Sequence, residues 1–144
     1  LDIKGSKKIV GKSIKKDKKI NQIIDMQRKK TGKLFNFCLR SIGIVANKSK
    51  REKIFLGNLG EEIGLLFQLA DDFLDIKGSK KIVGKSIKKD KKKGKSTLIN
   101  LMGYKKSVMY ADKLSKKILI KLKKHGRNAK DLIDTIEFIQ KRTF

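Results

Sequence analysis

Asp71, Asp72 and Asp75 close an apolar run that begins at Gly60, in a chain whose net charge is +25. Acid is scarce in such a sequence, so three carboxylates this close together need a reason. In an α-helix Asp71 and Asp75 share one face, and Phe67 and Gln68 stand one turn earlier on the same side. Carboxylates so placed can hold a divalent cation. The plainer reading is a solvated acidic helix end, because like charges four apart cost only about 0.2–0.5 kcal/mol per pair and do not by themselves demand a ligand.

To present that face the chain needs helices, and its apolar residues fall into four segments of helical period with no sustained alternation of period two. The class is all-α. The first segment runs from about Asn21 to Ala46, with Ile23, Ile24, Leu34, Phe35, Cys38, Ile42 and Val45 at helical spacing and a kink at Thr31-Gly32. The second, from about Arg51 to Asp75, carries the acid cluster and a wide apolar face of Phe55, Leu59, Ile63, Leu66 and Phe73. From Ile76 to Gly94 the pattern dissolves into a long Lys/Gly-rich loop, placed where a lid would sit. A third helix starts near Ser96, breaks at Gly103 and continues to Lys124, with Ala111, Leu114, Ile118 and Leu122 inward. His125-Gly126 closes it as a cationic last turn and a left-handed cap, which makes His125 a terminator rather than a catalyst. Asn128 then caps a short helix carrying Leu132, Ile133, Ile136 and Ile139.

Residues 1–19 recur letter for letter as residues 74–92. A solenoid needs about three or more stacked units, so a single distant copy reads as a duplication or artefact. With eight Lys, two Asp and few apolar anchors, the first copy is expected to be disordered or loosely attached, leaving 20–144 as the working part. The 39 cations are mostly Lys, with five Arg, two Tyr and no Trp, a poor set for stacking on bases or forking onto phosphates. A lone Cys38 excludes an intrachain disulfide, and its place among Phe35, Phe37 and Ile42 suits a small core residue. No apolar run approaches the roughly 20 residues of a membrane span, and no leader pattern is seen, so a cytoplasmic location is expected.

Around the acid cluster stand further groups suited to phosphate: Lys30-Thr31-Gly32-Lys33-Leu34 upstream, then Gly84-Lys85, Asp90 and Gly94-Lys95-Ser96-Thr97-Leu98 downstream. The order KTGxL, GxxFQxxDDxLD, GKx₄DxxxGKST, with its spacings, resembles the C-terminal half of the trans-isoprenyl diphosphate synthases of farnesyl and geranylgeranyl diphosphate synthase type. The likeness runs from about Asn21 to the C-terminus.

The resemblance implies the C-terminal half of an isoprenoid-synthase helical bundle built around a central cavity, and transfer of an allylic prenyl group to isopentenyl diphosphate. Asp71, Asp72 and Asp75 would then be the second aspartate-rich motif, binding Mg²⁺ that holds the allylic diphosphate. An Asp face without other protein ligands suffices, since Mg²⁺ typically keeps several waters and takes one or two carboxylates plus phosphate oxygens. Lys30, Lys85 and Lys95 would contact diphosphate oxygens, where positive charge stabilises the departing group more in the transition state than before it. Thr31 and Gln68 match polar positions facing the developing allylic cation, and Phe67 matches the position beside isopentenyl diphosphate. Catalytic weight thus falls on Lys30, Thr31, Gln68, Asp71 and Lys85. The family pattern also implies a homodimer. Its first aspartate-rich motif and isopentenyl-diphosphate-binding basic residues belong to an N-terminal half that this sequence does not contain. Residues 1–19 do not replace them, because Leu1-Asp2 lacks the preceding Asp pair.

Two other readings compete. A P-loop NTPase would use Gly94 to Thr97 as the end of its phosphate loop, but Lys89 stands where the first glycine must be and no strand pattern precedes it. A Lys-rich module for nucleic acid or anionic membrane would bind with a steep salt dependence and no need of Mg²⁺.

Overall fold

The computed structural model describes residues 3–82 and 97–143. Among them the chain forms α1 (Ile3–Gln27), a π-helical turn (Arg28–Gly32), α2 (Lys33–Val45), α3 (Lys50–Ile82), α4 (Leu98–Met102), α5 (Tyr104–Lys123), a 3₁₀ turn (Gly126–Ala129) and α6 (Lys130–Thr143). No described residue lies in a strand, in keeping with the all-α pattern.

The central element is α3. Between Glu62 and Leu66 every residue is buried, so here the helix is covered on all sides. Its Leu59, Leu65, Leu66, Leu69 and Phe73 join Leu98 and Ile99 of α4, Ala111, Leu114, Ile118 and Leu122 of α5, and Ile136 of α6 in one core, with Ile23 of α1 at its margin. The inward sets expected for the second, third and last helices are thus found, Phe55, Leu132, Ile133 and Ile139 being half-buried.

Against α3 lies α2, and the two backbones come close. A Cβ on Gly64 would stand 2.9 Å from Gly32 Cα, and one on Gly60 would collide with the Phe35 carbonyl oxygen. This crossing decides which side of α2 faces inward. Phe35, Asn36, Leu39 and Gly43 turn toward α3, whereas Leu34, Phe37, Cys38, Ile42 and Val45 are exposed. The stripe marked by Leu34, Cys38, Ile42 and Val45 is therefore the outer one, and Cys38 is not a core residue. Because α2 is apolar nearly all round, periodicity alone could not choose the side; glycine-permitted contact did.

Helix ends account for the remaining differences. Ser49 and Glu52 form a reciprocal capping box on α3: Ser49 N–H donates to Glu52 Oε2 (3.0 Å) and Glu52 N–H donates to Ser49 Oγ (3.2 Å). At its other end α3 runs past Asp75 to Ile82, because lysine is a good helix former that apolar periodicity does not register. For the same reason α1 starts at Ile3 rather than near Asn21, although Lys15 to Lys19 all stay exposed and clear of the core. The heptapeptide shared by Ile3–Ile9 and Ile76–Ile82 is helical at both places. Thr97 Oγ1 accepts from Asn100 N–H (3.2 Å) to cap α4, and Gly103 turns the chain into α5 at φ +85°. Gly126 is left-handed after α5 as expected, with φ +58°. Asn128 is not a cap: it lies inside the 3₁₀ turn, which tightens the chain on its way into α6.

Candidate functional site

The π turn Arg28–Gly32 and the acidic end of α3 meet beside the glycine crossing. A π turn widens the helix by one residue per hydrogen-bonded ring, and such bulges concentrate at functional positions. Here it carries Lys30, exposed, and Thr31, half-buried, over the neighbouring turn of α3. The kink expected at Thr31-Gly32 is thus a wide turn within a continuous helical path.

Two hydrogen bonds tie the turn to the motif. Thr31 Oγ1 donates to Gln68 Oε1 (3.1 Å), and Gln68 Nε2 donates to Asp72 Oδ1 (3.3 Å). Asp72 is half-buried, whereas Asp71 and Asp75 are exposed, one turn apart on the same face. Neither of these two carries an ion pair among the described residues, whereas Glu61, Glu62, Asp112 and Asp134 each hold a lysine. The Phe67 ring, 48% exposed, lies 5.7 Å from that of Phe35. On the inner side, Phe73 is fully buried and meets Tyr104 edge-on at 5.4 Å, anchoring the helix beneath the acids.

Structural ion pairs stand beside this site. Glu61 Oε1 accepts from Lys33 Nζ (2.6 Å) and Asn36 Nδ2 (3.0 Å), clasping α2 to α3. Glu62, 7% exposed, receives Lys121 at 2.6 Å and Lys117 at 3.0 Å, fastening α5 to α3. These two acids, at the start of the apolar run, serve the fold and leave Asp71 and Asp75 as its open carboxylates.

The structure therefore brings Thr31, Gln68 and Asp72 into direct contact, with Asp71, Asp75 and Phe67 on the same stretch of α3. Lys85 and Lys95, together with Gly84, Asp90, Gly94 and Ser96, lie outside the described residues. Sequence reasoning missed the part played by Gly60 in seating α2 and by Gly64 in seating the π turn; their four-residue spacing on a helix was the available signal. Among the described residues no group of three or more His, Cys, Asp or Glu side chains is placed to hold a metal ion. Two open carboxylates one turn apart still fit Mg²⁺, whose remaining positions are ordinarily filled by water and phosphate oxygens.

Comparison with known proteins gives a consistent set. A family model described as polyprenyl synthetase matches residues 1–139. The chain is 34% identical over 84 residues to a farnesyl diphosphate synthase of Micrococcus luteus, covering 58% of this chain and 29% of that protein. It is 36% identical over 80 residues to a short chain isoprenyl diphosphate synthase of Methanocaldococcus jannaschii, covering 56% of this chain and 24% of that protein. To a geranylgeranyl diphosphate synthase of Saccharolobus solfataricus it is 32% identical over 124 residues, 85% of this chain and 36% of that protein. The matched stretches thus span only 24–36% of the length of these relatives. No solved structure gives a significant match.

Proposed function

This chain belongs to the polyprenyl synthetase family, and from that premise we propose that it supplies the wall of a prenyl diphosphate synthase that grips the allylic diphosphate. Asp71, Asp72 and Asp75 would hold Mg²⁺, with Lys30, Lys85 and Lys95 directed at the diphosphate oxygens. When bound, the metal neutralises charge on the departing diphosphate. The chain's own residues orient and stabilise. Lys30, carried on the π turn, adds a fixed cation to the diphosphate, and Thr31 with Gln68 sets a polar surface beside the allylic carbon. Phe67 offers a half-exposed ring toward isopentenyl diphosphate. Charge directed at a leaving group that gains charge only as the C–O bond breaks lowers the barrier without over-stabilising the ground state.

The observation that carries this reading is the pair Asp71 and Asp75, exposed on one face and joined through neighbouring Asp72 and Gln68 to the Lys30-Thr31 turn. In a chain of charge +25, open carboxylates close to the turn that carries Lys30 are best explained by a cation placed between acid and phosphate. Calorimetry with a bisphosphonate tests it. Binding should be tighter in Mg²⁺ than in EDTA, and Asp71→Asn should remove most of the difference; equal binding in both would leave only attraction by lysine and sink the metal assignment. Because these residues make up a single acidic wall, the chain alone should give no condensation of an allylic diphosphate with isopentenyl diphosphate. Prenyl product from the purified chain, lost in Asp71→Ala, would show instead that copies complete one another's sites. No described helix is long and apolar enough to cross a membrane.

A further inference from the structure

The two hydrogen bonds joining Thr31, Gln68 and Asp72 have a direction set by their chemistry. Asp72, when ionised, only accepts, so it draws the Gln68 NH₂ toward itself and turns the Gln68 carbonyl oxygen the other way, toward Thr31. The Thr31 hydroxyl must then donate its proton to that oxygen, which leaves its own lone pairs pointing away from α3. Reversing the Gln68 amide would set oxygen against carboxylate and break the ladder. The backbone supports the same geometry: Gly64, one turn before Gln68, lets Gly32 of the π turn approach so closely that a Gly64 Cβ would stand 2.9 Å from it.

We propose that Thr31 and Gln68 are positioning residues for the acidic motif: the ladder from Thr31 through Gln68 to Asp72 fixes the Asp72 carboxylate and locks the π turn that carries Lys30 to the helix face that carries Asp71 and Asp75. The π turn and the acidic end of α3 then form one rigid unit rather than two neighbouring ones. A diphosphate bridged by metal would meet lysine and carboxylates already in register. What the motif binds rests on the function proposed above; the ladder itself does not.

The test uses the full chain with Thr31→Val, Gln68→Leu, the double variant and Thr31→Ser. Groups that orient ligands commonly change metal affinity by about 10–100-fold, so each of the first two should raise the Mg²⁺ needed for half-maximal bisphosphonate binding by roughly tenfold. The double variant should be no worse than either single one, and Thr31→Ser, which keeps the hydroxyl, should restore the requirement. Melting midpoints measured without metal supply the control. Additive effects, or lower melting midpoints with the Mg²⁺ requirement unchanged, would overturn the proposal in favour of packing alone. If the unaltered chain binds without regard to Mg²⁺, the function proposed above fails and the ladder is judged by nuclear magnetic resonance. The Gln68 side-chain amide protons should then be slow to exchange and shift in Thr31→Val, and solvent-like protons unaffected by that change would refute the ladder too.

Discussion

Glu52 shows how one residue's surroundings fix both a helix start and a response to acid. The Ser49 hydroxyl donates to its carboxylate at 2.7 Å and the Ser49 backbone N–H at 3.0 Å, and these bonds, in that order, hold its carboxyl below the ordinary glutamate value of 4.5. A depressed folded value means that the unfolded chain takes up the proton first. The contribution is therefore complete above the ordinary glutamate range and is lost as pH falls through the folded value. Melting midpoints followed from about pH 6 to about pH 2 should decline less steeply in Ser49→Ala than in the parent chain, and equal slopes would show that the box does not couple to folding. Ser49-Lys50-Arg51-Glu52 spells the capping box in plain letters and places the start of α3 within a residue of where the apolar period begins. The inward turn of Asp72 was not legible in the same way. DDxxD gives three equal acids, and the bond from Gln68, itself held by Thr31 from another element, sets the second apart from its neighbours.

Among the elements, the crossing of α2 over α3 governs most of what surrounds the site. A methyl group on Gly60 would meet the Phe35 carbonyl oxygen, which is backbone and cannot rotate aside. Gly60→Ala should therefore force the helices apart and destabilise the chain by about 1–3 kcal/mol, the usual cost of overpacking, and should separate Thr31 from Gln68. Urea denaturation measures the first effect; an unchanged midpoint would show that the helices slide at little cost. The elements themselves were readable because period survives in single sequence: Leu59, Ile63 and Leu66 repeat at helical spacing, and all are buried. The side chosen by α2 was not readable from period, since Leu34, Cys38 and Ile42 make as good a stripe as Phe35 and Leu39. Glycine spacing on the partner helix held that information. Lysine-rich helix ends escaped for a different reason: lysine favours helix through its backbone propensity, which leaves no apolar period to read.

At the scale of the whole molecule, the faces built on Ile63 and Leu66 are covered, whereas α2 carries five exposed large apolar side chains. Leu34, Phe37, Ile42, Ile44 and Val45 are 56–88% exposed. Adjacent apolar side chains presented together to water mark a surface that burial would stabilise. Phe37→Glu with Val45→Lys should lower the fluorescence of an apolar dye bound to the chain while changing stability by no more than about 0.5 kcal/mol, as for other exposed positions. Undiminished dye binding would place the sticky surface elsewhere. The repeated heptapeptide supplies a different kind of measurement. Ile3–Ile9 opens α1 and Ile76–Ile82 closes α3, identical in every side chain and helical at both places. Intrinsic amide exchange chemistry depends on local sequence, so it is the same for interior positions of the two copies. Any difference in deuterium uptake between corresponding amides is therefore a reading of tertiary surroundings and place in the helix, with sequence held constant by the molecule itself.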